Sequence, residues 1–195
     1  MQALLVIDVQ NDFCPGGALA VPQGASILPR VHALMAASSC VVLTQDWHPP
    51  GHASFASTHG AEPFSVQEMA YGPQVLWPDH CVQGSTGAAF HPDLRTDAAR
   101  LVVRKGFHPA VDSYSAFREN DRATTTGLAA WLRGVGVHRV ELCGLATDYC
   151  VAYSALDAVA EGFEVAVHLD ACRGIDPAGV EAQLEAMRQA GVELL

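Results

Sequence analysis

The 195-residue sequence predicts an α/β fold, a three-layer α/β/α sandwich around a mainly parallel sheet of about six strands. Two observations carry this. Short Val- and Leu-rich runs alternate with amphipathic stretches from one end of the chain to the other. Those runs are apolar at successive positions rather than at every second one, as expected of strands covered on both faces.

In chain order, the first strand is ALLVIDV (3–9). GASILPRVHALMAASS (24–39) follows with apolar residues at helical spacing, and CVVLTQD (40–46) gives the second strand. From Pro49 to about Arg100 no strand is legible, and the composition turns to Gly, Pro, His and aromatic residues. A stretch this long inside a compact domain points to a functional excursion. The rhythm resumes with LVVRKG (101–106), the helix TTTGLAAWLRGVG (124–136), HRVELCG (138–144), the helix TDYCVAYSALDAVAEG (147–162), EVAVHLDA (164–171), the helix GVEAQLEAMRQAG (179–191) and a short last strand, VELL (192–195). No repeat or linker divides the chain, so one domain over 1–195 is expected.

The formal net charge of -10 argues against a nucleic-acid binder, which must neutralise phosphates, and against an anionic membrane surface. No apolar run reaches bilayer length, and Asp8 interrupts the N-terminal one, so a cytosolic protein is expected. Cys14, Cys40, Cys81, Cys143, Cys150 and Cys172 form no C-x-x-C pair and read as reduced thiols.

Open α/β sheets bind ligands beyond the carboxyl ends of their strands. Asp8, Asp46 and Lys105 end the first three runs, and GLATDYC follows the fourth, just before a helix. With Thr147 as N-cap, Cys150 falls in the first helical turn, where free N–H groups and the helix dipole favour a thiolate of lowered pKa. Packing of a small residue against the sheet is the alternative for this cysteine. Asp8 could accept the thiol proton, and Lys105, the only lysine in the chain, could hold Asp8 ionised. Arginine replaces lysine everywhere else, so composition alone could also account for a lone lysine.

A second cluster lies in QDWHPPGHASF and VLWPDHCVQGSTGAAFHP. Asp46 and His48 stand two apart at a strand end and so share a face. His80 can add a third ligand, giving a donor set suited to zinc, iron or manganese with positions left for water or substrate. His52 and His59 are further candidates for the shell. His91, His138 and His168 show no clustering.

Taken together, IDVQNDFCPGGAL, TQDWHPPGHASF, WPDHCVQGSTGAAFHP, RKGFHPAVDSYSAF and GLATDYCV resemble the isochorismatase-like cysteine hydrolases, and among them the nicotinamidase and pyrazinamidase group. The resemblance runs through nearly the whole chain. It implies Asp8, Lys105 and Cys150 as catalytic triad, one divalent metal ion on Asp46, His48 and His80, and a substrate pocket with Phe13, Trp77, Tyr114 and Tyr149. It further implies a cis peptide before Ala146, an oxyanion hole from the amides of Ala146 and Cys150, and hydrolysis of nicotinamide through a thioester. Related hydrolases with the same triad and no metal segment, or a thiol sensor, are the competing readings.

Overall fold

The computed structural model describes residues 1–195. Its centre is a six-stranded parallel sheet in the order β5-β2-β1-β6-β7-β8. The strands are β1 (Gln2–Ile7), β2 (Val41–Asp46), β5 (Ala99–Lys105), β6 (Arg139–Leu145), β7 (Glu164–Arg173) and β8 (Glu193–Leu194). The helices that return the chain are α1 (Leu28–Ala37), α3 (Leu128–Gly134), α4 (Ala152–Ala160) and α5 (Pro177–Gln189). Pro29 falls in the first turn of α1 and Pro177 opens α5, positions where a missing N–H costs nothing. The Asp176 carboxylate caps α5 by accepting from Gly179 N at 2.7 Å.

Central strands behave as the pattern predicts: all six residues of β2 are buried, and so are all of β1 after Gln2. β5 does not. It is an edge strand in which Arg100, Val102 and Arg104 face outward, so LVVRKG is covered on one side only. Arg104 lays its guanidinium over the Trp47 ring at 3.9 Å, shielding part of that edge.

The excursion after Pro49 is not without structure. It carries a short helix, α2 (Ala56–His59), and an antiparallel hairpin of β3 (Val66–Met69) and β4 (Gly72–Val75). The hairpin was illegible because VQEM and GPQV are four residues each, too short to show a period, and the second carries a proline.

The sheet places the site through its topology. From β1 the chain winds outward on one side through β2 and β5, then crosses back to β6 on the other side of β1. The order reverses between β1 and β6, where parallel sheets open a crevice at their carboxyl ends. Register keeps that rim level: Ile7 pairs with Gly144 and Asp46 with Lys105. No helix is long and apolar enough to cross a membrane.

Candidate active site

Asp8 follows β1, Asp46 ends β2, Lys105 ends β5, and Cys150 lies in the turn after β6. The level register brings all four together, each buried. Lys105 Nζ donates to Asp46 Oδ1 at 3.0 Å, to the Ser113 carbonyl at 3.0 Å and to Cys150 Sγ at 3.4 Å. It also sits 2.9 Å from Asp8 Oδ2, an ion pair lying outside those three hydrogen-bond directions. Asp8 Oδ1 accepts from Thr44 Oγ1 at 2.6 Å, while Oδ2 is buried with no aligned donor. One carboxylate oxygen is therefore anchored on Thr44, and the other is paired with the same ammonium that reaches the thiol.

Electrostatics follow from this packing. Burial alone would drive the proton off Lys105, but Asp46 and Asp8 outweigh it and push its pKa well above the usual lysine value. Burial lifts the Asp8 carboxyl above the ordinary aspartate value, with Lys105 offsetting part of the rise. Burial also pushes the Cys150 thiol well up, more than Lys105 brings it down, with Asp8 adding to the rise. The expected thiolate at a helix start is thus corrected: the resting group is a thiol that needs a base. The cause is local. Residues Thr147–Val151 form a π-helical turn in which Ala146 is the cap residue and no side chain caps, so Thr147 does not play the N-cap part. The peptide between Leu145 and Ala146 is cis.

The second group gathers Asp46, His48 and His80, with one donor atom from each within 4.8 Å of the others. His48 Nδ1 donates to the Gly106 carbonyl at 2.8 Å and His80 Nδ1 to the Pro78 carbonyl at 2.8 Å. Each ring therefore turns Nε2 toward Asp46 Oδ2, at 3.1 and 3.5 Å. Two imidazole lone pairs and a carboxylate oxygen converge, with both outer nitrogens held by backbone carbonyls, an arrangement that fits a divalent cation. Burial works against charge on His48, yet Asp46 outweighs it and raises the imidazole pKa; a metal ion would feel the same pull. Asp46 joins the two clusters, one oxygen on Lys105 and the other facing the histidines.

Neither further histidine offers a free donor to this group. His52 Nδ1 accepts from Ser54 N at 3.2 Å and lies 2.8 Å from Ser54 Oγ, and its Nε2 faces the carbonyls of His108 and Val111 at 2.9 and 3.2 Å. Burial and the nearby His48 lower its pKa, so it packs as a neutral ring. His59 is exposed on α2 and bonds the Ala53 carbonyl at 2.7 Å.

Beside both groups opens a small cavity walled mainly by apolar and aromatic side chains. Phe13, Trp77, Tyr114, Tyr149 and Ala146 line it along with Cys150. The aromatic walls brace one another edge to face: Trp77 and Tyr149 at 4.9 Å, Tyr114 and Tyr149 at 5.4 Å. Sequence reasoning missed three lining residues, Leu19, Asp112 and Ile175. Asp112 is buried, with Oδ1 3.9 Å from His48 Nε2. Ile175 is held by a turn in which its own amide and that of Asp176 donate to the Asp148 carboxylate at 2.9 to 3.2 Å. Nothing in V-D-S-Y or R-G-I-D flags these residues, because their place depends on loops that meet only in the fold.

Comparison with known proteins gives the class. The isochorismatase domain matches residues 2–195, and the chain belongs to that family. It is 49% identical over 193 residues to a nicotinamidase of Acinetobacter baylyi, covering 98% of this chain and 90% of that one. A solved nicotinamidase of Acinetobacter baumannii superposes with a TM-score of 0.98 at 51% identity, covering 100% and 95% of the two chains. A pyrazinamidase of Pyrococcus horikoshii, solved in complex with zinc, superposes with a TM-score of 0.82 at 41% identity, covering 100% and 98%.

Proposed function

We infer that the protein is a nicotinamidase, a metal-dependent cysteine amidohydrolase that converts nicotinamide to nicotinic acid and ammonia. Full-length likeness to nicotinamidases supports the activity. The observation that carries the mechanism is the buried Lys105 ammonium, 2.9 Å from Asp8 Oδ2 and 3.4 Å from Cys150 Sγ, which gathers acid, amine and thiol in one place.

Asp8 accepts the Cys150 proton, and the sulfur attacks the carboxamide carbon of a ring held between Phe13, Trp77, Tyr114 and Tyr149. Lys105 stabilises the thiolate as it forms, and the backbone amides of Ala146 and Cys150 receive the oxyanion. Asp8 returns the proton to the departing nitrogen, so ammonia leaves and the acyl group stays on sulfur as a thioester. Water, deprotonated by Asp8, then cleaves the thioester, releasing nicotinic acid and restoring the thiol. A divalent ion held by Asp46, His48 and His80 would supply an open position for the pyridine nitrogen, aligning the ring.

Zinc is the ion of choice, supported by the histidine and carboxylate donors and by the zinc complex of the Pyrococcus horikoshii relative. Pyrazinamide, another single-ring carboxamide, is a second substrate, supported by the activity named for that relative. Six unpaired cysteines suit a reducing cytoplasm.

Ammonia release from nicotinamide tests the reading, measured before and after chelation and again with zinc restored. Activity lost with the metal and regained with zinc is expected. Undiminished turnover by fully metal-free protein would remove the metal-dependent reading and favour the related hydrolases without a metal segment.

A further inference from the structure

Gln74 lies on β4 of the hairpin, makes no contact with the proposed triad, and is 1% exposed. Its amide is a junction. Nε2 is 2.7 Å from Asp112 Oδ2, 2.9 Å from the Tyr114 hydroxyl and 2.8 Å from the Val75 carbonyl. Oε1 accepts from Tyr71 Oη at 3.2 Å and from Asn120 Nδ2 at 3.1 Å. The donors at Oε1 fix the amide's orientation, so Nε2 must point at Asp112 and Tyr114.

Two of these partners are walls of the cavity, and both belong to the segment after β5. That segment also supplies the Ser113 carbonyl on Lys105. Buried side chains at such a junction are hard to replace, because each lost partner strands a polar group away from water. Gln74 thus ties the hairpin, which lies outside the main sheet, to two residues that line the cavity.

From this junction we propose that Gln74 is a positioning residue: it holds the Tyr114 ring and the Asp112 carboxylate in place and so fits the cavity to one unsubstituted six-membered ring. The proposal rests on the reading of this cavity as the nicotinamide site. Gln74 itself touches no substrate, and of the reacting groups only Lys105 meets this segment, its contacts with Asp46, Asp8 and Cys150 lying outside it. Its loss should therefore weaken ring binding and relax selectivity while sparing the chemical step.

Steady-state kinetics of Gln74→Met, close to Gln in shape and without the amide, provide the test. KM for nicotinamide should rise about tenfold or more, the scale of a lost hydrogen bond to a charged group, with kcat within about threefold of wild type. Preference for nicotinamide over a ring-methylated analogue should fall in parallel. Tyr114→Phe should raise KM as well, and the Gln74→Met/Tyr114→Phe pair should show less than the product of the two single effects, since both cut one contact. If Gln74→Met does not fold, the isosteric Gln74→Glu, which sets a carboxylate against Asp112, should show the same rise in KM. A second readout needs no turnover: in Cys150→Ala protein, Gln74→Met should weaken nicotinate binding by calorimetry by the same factor as KM rises. Unchanged KM and nicotinate affinity, or a loss confined to kcat, would overturn the proposal. Wild-type protein that binds nicotinate yet releases no ammonia would instead count against the proposed reaction, leaving the binding arm to judge Gln74.

Discussion

Lys105 and Cys150 face each other across 3.4 Å, ammonium to sulfur, the lysine fully buried and the sulfur at the cavity wall. A compact charge can reach the sulfur, Asp46 and the Ser113 carbonyl at once, whereas a broad planar guanidinium cannot. Lys105→Arg should lower kcat by about 10²- to 10³-fold, the scale of a lost electrostatic stabiliser, with the fold retained by circular dichroism. Near-normal turnover would return the lone lysine to an accident of composition.

Asp8 should behave as the essential base. Asp8→Asn removes the proton acceptor and should lower kcat by about 10²- to 10⁴-fold. Because burial raises the Asp8 carboxyl, the base is lost as pH falls through a value above that of an ordinary aspartate. The acid limb of kcat/KM in the wild type should lie there, and the residual activity of Asp8→Asn should lack that limb.

Gly106 protects the histidine that faces Asp46. Its φ is +66°, and a Cβ there would stand 2.5 Å from His48 Cε1 and 2.8 Å from Nδ1. The His48 ring would have to leave the Gly106 carbonyl that fixes its tautomer. Gly106→Ala should weaken metal binding about 10- to 100-fold, the range seen when an outer partner of a ligand is lost. Metal retained against a competing chelator measures this, and unchanged retention would separate Gly106 from the metal site.

Glu119 is buried, neither carboxylate oxygen has a hydrogen-bond partner, and burial pushes its pKa up to about 6. A raised folded pKa means that the proton is held more tightly in the folded state. Stability from this group is full below the ordinary glutamate range and is lost as pH rises through about 6. Glu119→Gln should therefore stabilise the protein at pH ~8 by ~1–2 kcal/mol and hardly at all at pH ~4. Melting temperatures at the two pH values decide it; an equal effect at both would contradict the burial of a lone carboxylate.

The parallel sheet was legible because β1 and β2 carry continuous apolar runs and β6 and β7 Val- and Leu-rich ones, and the rim followed from the residues that end them. Asp8, Asp46, Lys105 and Cys150 could be grouped from strand ends alone. The edge position of β5 was not legible, since LVVRKG reads like its neighbours and only the crossover places it outermost. Nor could sequence give the charge state of Cys150: a helix start argues for thiolate, and burial outweighs it. Gln74 and Asp112 stand 38 residues apart on segments with no periodic signal, so their contact is a product of the fold.

The most direct test is mass spectrometry of protein quenched with acid during nicotinamide turnover. One nicotinoyl group bound as a thioester on the peptide carrying Cys150, and absent from Cys150→Ala, is the predicted result. Turnover with no acylated intermediate on any peptide, or with the acyl group on another cysteine, would contradict the account.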